Sequence, residues 1–469
     1  MKLTKNDILR IPHLSALGFE EGNFIINGVS TDSRTIKPKD MFIALVGSKY
    51  DGHDFVSKAV DAGASAIVVE HKWAKLNGEM LNSIHVPKII VENSTLALGQ
   101  LALQIRKKYK IPFIAVGGSN GKTTTKEMIA QILATKYNVL KTEGNQNNQI
   151  GVPRTLFNLN AKHEVGVIEV GTNHPGEINY LCSIILPTHG IITNIGREHL
   201  EFFHSLKGVS KAEGELFEWI ITNNGLLFVN FDDKYIKSLS LKARKKVTYG
   251  INARKVDIKG RILSINGNAH PLIKIMPKGK KAFEVVVRVP GLHNAQNALA
   301  AIAVGTIMKV PTSNIQRALS LFQPPENRMQ VKQIAGVTVI NDSYNANPDS
   351  MLASLATIKR MKSTGRKIAV LADMLELGDK EREMHALIGK SISRSKIDIL
   401  LTYGTLARII HDSSFPKEKM HFESKESLVL YLASNLRRGD IVLIKGSHGM
   451  RMDEVASSLI NKLMQEAKG

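Results

Sequence analysis

The chain has 469 residues, 43% hydrophobic and 22% charged, enough to bury real cores in about three domains of ~100–200 residues and too apolar for a disordered chain. One cysteine, Cys182, excludes a disulfide-built secreted domain, and the want of any run near ~18 apolar residues excludes a membrane helix. Lysine and arginine outnumber aspartate and glutamate by 63 to 42, and the formal charge of +21 favours anionic partners: nucleotides, nucleic acid or an acidic membrane surface.

The opening MKLTKNDILRIPHL carries charge but no apolar signal segment, so a soluble cytoplasmic protein is expected. Residues 1–93 mix short apolar strands (MFIALVG, SAIVVE, KIIVEN) with the helical pattern FVSKAVDAGA, where Phe55, Val56, Ala59 and Val60 share a face. Asp51-Gly52 marks a turn before it.

A second region, 94–322, starts with the amphipathic pattern TLALGQLALQIRKKY. The strand run FIAVGG follows, and then VGVIEV, GIITNI, GLLFVNF and FEVVVRV, mostly separated by helical stretches. That alternation predicts a mainly parallel sheet covered by helices. Pro324-Pro325 reads as a linker into a third region, 323–469. There VTVIND, KIAVLAD, IDILLTYG and DIVLIKG alternate with helices, the pattern of a doubly wound, Rossmann-like unit. The fold class is therefore α/β in three domains.

The sharpest motif is FIAVGGSNGKTTTKEMIAQIL. A strand runs into Gly117, Gly118, Ser119, Asn120 and Gly121, and Lys122, Thr123 and Thr124 open a helix. Glycines let backbone N–H groups curl round an anion, and the helix start adds donors and partial positive charge. Lys122 can reach terminal phosphates and the Thr123 hydroxyl can ligate Mg²⁺. The loop is a short G-x-x-G-K-T form, with Val116 where the longer pattern has its first glycine.

Glu169 and His199 each follow a strand, at the edge where an open α/β sheet binds ligands. A lone glutamate there is more often a cap or salt-bridge partner and a lone histidine more often structural, so their weight comes from sharing that edge with Lys122. Four polar segments are individually weak: GNQNNQIGVP with Asn147 and Asn148, GLHNAQNALAA with Asn294 and Asn297 at i, i+3, ENRMQ with Arg328, and NDSYNANP with Asp342, Asn345 and Asn347. The basic clusters, such as Lys242, Arg244, Lys245 and Lys246, are scattered and lack interleaved aromatics. A solvated surface is preferred to a nucleic-acid surface.

GGSNGKTTT, TEGNQNNQIGVP, IEVGTNHPGEI, TNIGREHLEFF, GLHNAQNALAA, ENRMQ and NDSYNANPDSM stand in an order that resembles the Mur ligases, ATP-dependent amide-forming enzymes of peptidoglycan precursor synthesis. TDSR and GSKYDGHDF resemble their uridine-diphosphate-binding first domain. GNQNNQIGVP, GTNHPGEI, DSYNANP and LADMLELG look most like the members that add D-alanyl-D-alanine to UDP-N-acetylmuramoyl-tripeptide.

The resemblance implies roles. Lys122 lies on the ATP phosphates, and Thr123, Glu169 and His199 are Mg²⁺ ligands. Asn294 and Asn297 lie near adenine, and Arg328 and Asp342 on the ribose side. Ser33, Arg34, Asp51, Gly52, His53, Asn147 and Asn148 belong to the UDP-substrate end, and Asn345, Asn347, Lys445, Gly446 and Ser447 to the dipeptide side. Such ligases commonly carry a carbamylated lysine in an AKGE-like segment. Here the segment reads SKAEGELF, with Glu213 at the lysine's place, so Glu213 is expected to supply the carboxylate without carbamylation, reaching the metal itself or through a water because it is the shorter side chain. The expected cofactors are ATP and Mg²⁺ and the expected state is a monomer. The third-residue-adding relative, a folate-polyglutamate ligase and a nucleic-acid-binding phosphate-loop ATPase are the alternatives.

Overall fold

The computed structural model describes residues 2–12, 14–18 and 25–466. They form two compact units: 1–115 with 137–172 and 176–189, and 116–136 with 173–175 and 190–469.

The first unit contains a five-stranded sheet. Its order is Ser15–Leu17, Lys88–Val91, Ala66–Glu70, Asp40–Ile43 and Gly28–Ser30, all parallel except the first pair. Phe42, Val56, Ala59, Ile67 and Val69 close its core, so the expected helix face is the buried one, on the helix Val56–Asp61. The predicted helix at 95–109 is Ser94–Lys107, capped by Asn93 Oδ1 accepting from Leu96 N at 2.8 Å. Val139–Lys141 and Val165–Glu169 pair in parallel.

The second unit opens with the end of the strand Phe113–Gly117 and the helix Lys122–Ala134. Leu226–Asn230, Lys246–Gly250 and Ile258–Ile265 then pair in parallel. Ile258–Ile265 turns back antiparallel onto Pro271–Pro277 and on to Phe283–Val286. Phe283–Val286 is the expected strand FEVVVRV, whereas the hairpin of Ile258–Ile265 and Pro271–Pro277 has no counterpart in the expectations above. Lysines and polar residues interrupt its apolar positions, and Pro271–Pro277, paired on both sides, alternates buried with half-buried residues, while Phe283–Val286 forms the edge of the sheet.

The same unit holds a six-stranded sheet. Its order is Gln330–Ile334, Val337–Asn341, Ile441–Lys445, Lys367–Ala372, Ile399–Tyr403 and Glu418–Phe422. Only the first pair is antiparallel. Strand 441–445 lies between strands earlier in the chain, so order reverses there, and the crevice beyond the strands' carboxyl ends is where such sheets bind ligands. The helix Pro348–Arg360 starts at that end. Asn347 caps it in a reciprocal box with Ser350, and Pro348 supplies a preset first turn.

Candidate active site

The phosphate loop has the conformation its glycines permit. Gly118 has φ +114° and Gly121 φ +80°. A Cβ at 118 would stand 2.3 Å from Thr193 Oγ1, and one at 121 would stand 2.6 Å from Asn297 Oδ1. Glycine is therefore required twice, by backbone angle and by close approach. Hydrogen bonds fix the rest of the loop. Ser119 Oγ accepts from Gly196 N at 2.8 Å, Asn120 N donates to Asn194 Oδ1 at 3.1 Å, and Thr193 Oγ1 donates to Asn120 O at 2.7 Å. Thr123 and Thr124 are buried at the start of the helix.

Around the loop stand Lys122, Glu198, His199, Glu213 and Glu376. Lys122 Nζ lies 3.5 Å from Glu198 Oε2. His199 sits at φ +45°, and its Nδ1 is 2.6 Å from Glu376 Oε2. Burial alone would lower the His199 pKa, but the carboxylates of Glu376 and Glu198 outweigh it and raise it, while His199 holds the Glu376 carboxyl below its usual range. Glu213 is 1% exposed. Its Oε2 accepts from Gly118 N at 2.6 Å. Burial pushes its pKa up to about 7, against the pull of Lys122.

Glu213 Oε1 is buried and has no hydrogen-bond partner among the described residues. An orphaned carboxylate oxygen beside a phosphate loop, with the Thr123 hydroxyl on the same loop, is a donor set suited to a hard divalent cation. Among the described residues no three His, Cys, Asp or Glu side chains form a ready-made metal cluster. Phosphate oxygens and water would thus have to supply most of the coordination, as is usual for Mg²⁺.

Asn294 and Asn297 share a buried helix face. Asn297 Nδ2 donates to Asn294 Oδ1 at 3.0 Å, while Asn297 packs on Gly121. Arg328 lies over the Tyr344 ring, 3.6 Å from its centroid. Asp342 and Lys445 form a buried pair at 2.7 Å, and Asp342 also accepts from Ser354 Oγ and Met329 N. Lys445 Nζ also donates to Asn345 O at 2.9 Å, so its ammonium is held inside the domain. Asn345 accepts from His448 N, and Ser447 Oγ accepts from Leu375 N. Gly446 has no room for a side chain against Met452 and Ala372.

Two contacts escaped sequence reasoning. Arg197 grips Asp349 through N, Nε and Nη2 at 2.6, 3.1 and 2.7 Å. Asn347 Nδ2 donates to Asn120 Oδ1 at 2.9 Å, which ties the capped helix to the phosphate loop. These partners are over 150 residues apart, and only Asp349's place in NANPD and the neighbouring GREH motif signalled them.

In the first unit, Glu169 ends its strand. Its backbone N donates to Thr142 Oγ1, and its Oε1 accepts from Asn147 Nδ2 at 2.8 Å. Asn148 Oδ1 accepts from Ile150 N and Gly151 N, a helix-opening turn. Asp32 orders Ser33 and Arg34 by accepting from Arg34 N and holding its guanidinium at 2.7 Å. Arg154 reaches Thr31 Oγ1 beside them, an addition to the predicted set. Asp51 caps the turn Gly52–Phe55 and accepts from His53, whose Nε2 accepts from Glu70 N. His53 is buried and stacked on Trp73, so its contacts are structural.

Three family models match: the catalytic domain of the Mur ligase family at 25–106, the Mur ligase middle domain at 116–305 and the Mur ligase glutamate ligase domain at 327–448. UDP-N-acetylmuramoyl-tripeptide–D-alanyl-D-alanine ligase of Bacillus subtilis is 34% identical over 443 residues, 93% of each chain. The Escherichia coli ligase of the same name is 33% identical, covering 92% of this chain and 94% of its own. Among solved structures, MurF from Acinetobacter baumannii superposes with a TM-score of 0.88 at 27% identity, over 98% of this chain and 99% of that one. MurF ligase from Thermotoga maritima, in complex with ADP, gives 0.82 at 26% identity over 93% and 98%. With relatives matched along nearly their whole length and a phosphate loop built as described, the chain belongs to the Mur ligase family.

Proposed function

We propose that this chain is an ATP-dependent ligase that joins D-alanyl-D-alanine to UDP-N-acetylmuramoyl-tripeptide, yielding the pentapeptide precursor, ADP and phosphate. The carrying observation is the glycine-shaped loop 117–121 ending at Lys122, in a chain 34% identical to such a ligase over 93% of its length. The expected setting is the cytoplasm, and the working division is 1–93 for the UDP-sugar, 94–322 for ATP and 323–469 for the dipeptide.

A carboxylate does not yield an amide without a better leaving group than oxide. In the proposed route its oxygen takes the γ-phosphoryl group of ATP, ADP departs, and an acyl phosphate forms. The amine of D-alanyl-D-alanine attacks that carbonyl, loses a proton and expels phosphate. Bringing two anions to ~3–3.5 Å is the electrostatic obstacle. The loop amides and Lys122 offset it and stabilise charge on the moving phosphoryl group. Asn297 and Asn194 hold the loop in shape, and Arg328, stacked on Tyr344, presents a cation to the nucleotide. Mg²⁺, when bound, adds neutralising charge at the phosphates. Thr123 and Glu213 are the residues we assign to hold it, Glu213 in the place of a carbamylated lysine. Ser33, Arg34 and Arg154 are assigned to the UDP end.

The test is phosphate release from ATP with UDP-muramoyl-tripeptide, with and without D-alanyl-D-alanine, and mass spectrometry of the product. Release that depends on the dipeptide, with a pentapeptide product, is expected. Absence of that product with both substrates and magnesium present overturns the reading.

A further inference from the structure

The amino-terminal edge of the six-stranded sheet, opposite the strand ends that carry Asp342 and Lys445, carries an open depression of about 1040 Å³. Lys359, Lys362, Lys367, Lys396 and Lys417 line it, with Asp398 as the single acidic residue among the described residues that line it. No function described above uses any of them.

The usual reason for lysines at such an edge is that they answer helix carboxyl ends or carboxylates. That accounts for two of the five. Lys367 Nζ donates to Lys359 O at 2.9 Å, and Lys417 Nζ lies 3.1 Å from Asp398 Oδ1. Among the described residues the ammonium groups of Lys359, Lys362 and Lys396 meet no carboxylate or carbonyl. The nearby Asp440 is consumed by Arg366, at 2.7 Å, and by the amides of Arg366 and Arg437. Burial and then the charge of Lys396 lower the pKa of Lys367, so the like charges are close enough to repel. The fold keeps this repulsion in a concave setting. The turn at Gly336 and Gly439, both at positive φ, and the hydroxyl residues Ser363 and Thr364 also line it. A concave basic site of this size suits a compact ligand with several negative charges better than it suits a flat membrane or a long polymer.

We propose that this depression is a second anion site, separate from the phosphate loop, which binds a soluble small molecule carrying a di- or triphosphate group. The experiment is calorimetric titration of the full chain with inorganic tripolyphosphate, ADP being present in excess to fill the phosphate loop. The comparison is with the double variant Lys362→Glu/Lys396→Glu. One site in the native protein, weakened about tenfold or more in the variant, is expected. Lys396→Ala alone, a change at an exposed position, should weaken it by about threefold and covers the case in which the double variant misfolds. Equal tripolyphosphate binding by native and variant proteins overturns the site. So does binding of a 20-nucleotide RNA that both substitutions abolish while tripolyphosphate binds neither protein, since the surface would then serve a polymer.

Discussion

At the residue scale the loop glycines and Glu213 make opposite predictions. Gly118→Ala would place a Cβ 2.3 Å from Thr193 Oγ1 on a backbone at φ +114°, so ADP affinity should fall by at least about tenfold. Unchanged ADP binding by fluorescence titration would refute the loop's role. Glu213 is a buried carboxylate with one oxygen unpartnered among the described residues, a costly arrangement for folding alone. Glu213→Gln keeps an oxygen for Gly118 N and removes the charge, so the metal-free protein should gain about 1 kcal/mol in denaturant unfolding while dipeptide-dependent turnover falls. A variant that is less stable and equally active would show Glu213 to be structural. His293 gives a pH signature. Burial lowers its pKa to about 4, whereas the unfolded chain's histidine titrates near 6.5. As pH falls below 6.5 the unfolded state takes up the proton first, so stability is complete above 6.5 and is lost towards pH 4. The slope cannot exceed ~1.4 kcal/mol per pH unit for one proton. His293→Gln should flatten the stability difference between pH 7 and pH 5, and an unaltered difference excludes this assignment.

At the element scale the sequence was readable where local rules decide. Strand Phe113–Gly117, its glycine turn and helix Lys122–Ala134 follow from an apolar run, glycines and a lysine at a helix start. Asn347-Pro348 announces the helix Pro348–Arg360 for the same kind of reason. What joins these elements was not readable, because Arg197 and Asp349, or Asn120 and Asn347, are brought together only by tertiary packing. Asp349 also lies in the helix's first turn, where its charge suits the dipole. Asp349→Asn keeps the cap at Asn347 and weakens the grip on Arg197. Turnover should fall several-fold with a loss of no more than about 1 kcal/mol in stability. Equal, large losses in both would make the contact a folding element only. Arg328→Ala is expected to behave alike: its ring contact with Tyr344 is worth about 0.5–2 kcal/mol, while its proposed cationic role in turnover has no substitute.

At the scale of the whole molecule, the +21 charge is the property that sequence reasoning left least explained. The structure divides it. Arg106 is turned inward, stacked on Phe113 and donating to Ile185 O at 2.7 Å and Tyr109 O at 2.6 Å. Burial lowers its pKa to about 10, still far above neutrality, so it stays a charged internal staple. Lys445 is matched by Asp342. Most of the remaining excess is solvated, and a chain with such a surplus repels itself more when compact than when unfolded. Salt shortens that repulsion from a reach of ~30 Å at 0.01 M to ~8 Å at 0.15 M. It also weakens exposed pairs such as Arg34–Asp32 and Arg408–Glu423, but each of those is worth only ~0–1 kcal/mol. Repulsion summed over the surplus should win, so the thermal midpoint should rise by a few degrees between 0.01 and 0.3 M sodium chloride. Calorimetry without ATP or other polyanions decides it, because a bound anion would mimic the effect through its own affinity. A midpoint that falls with salt would mean that the basic residues are locally paired to a degree the ion pairs seen here do not account for.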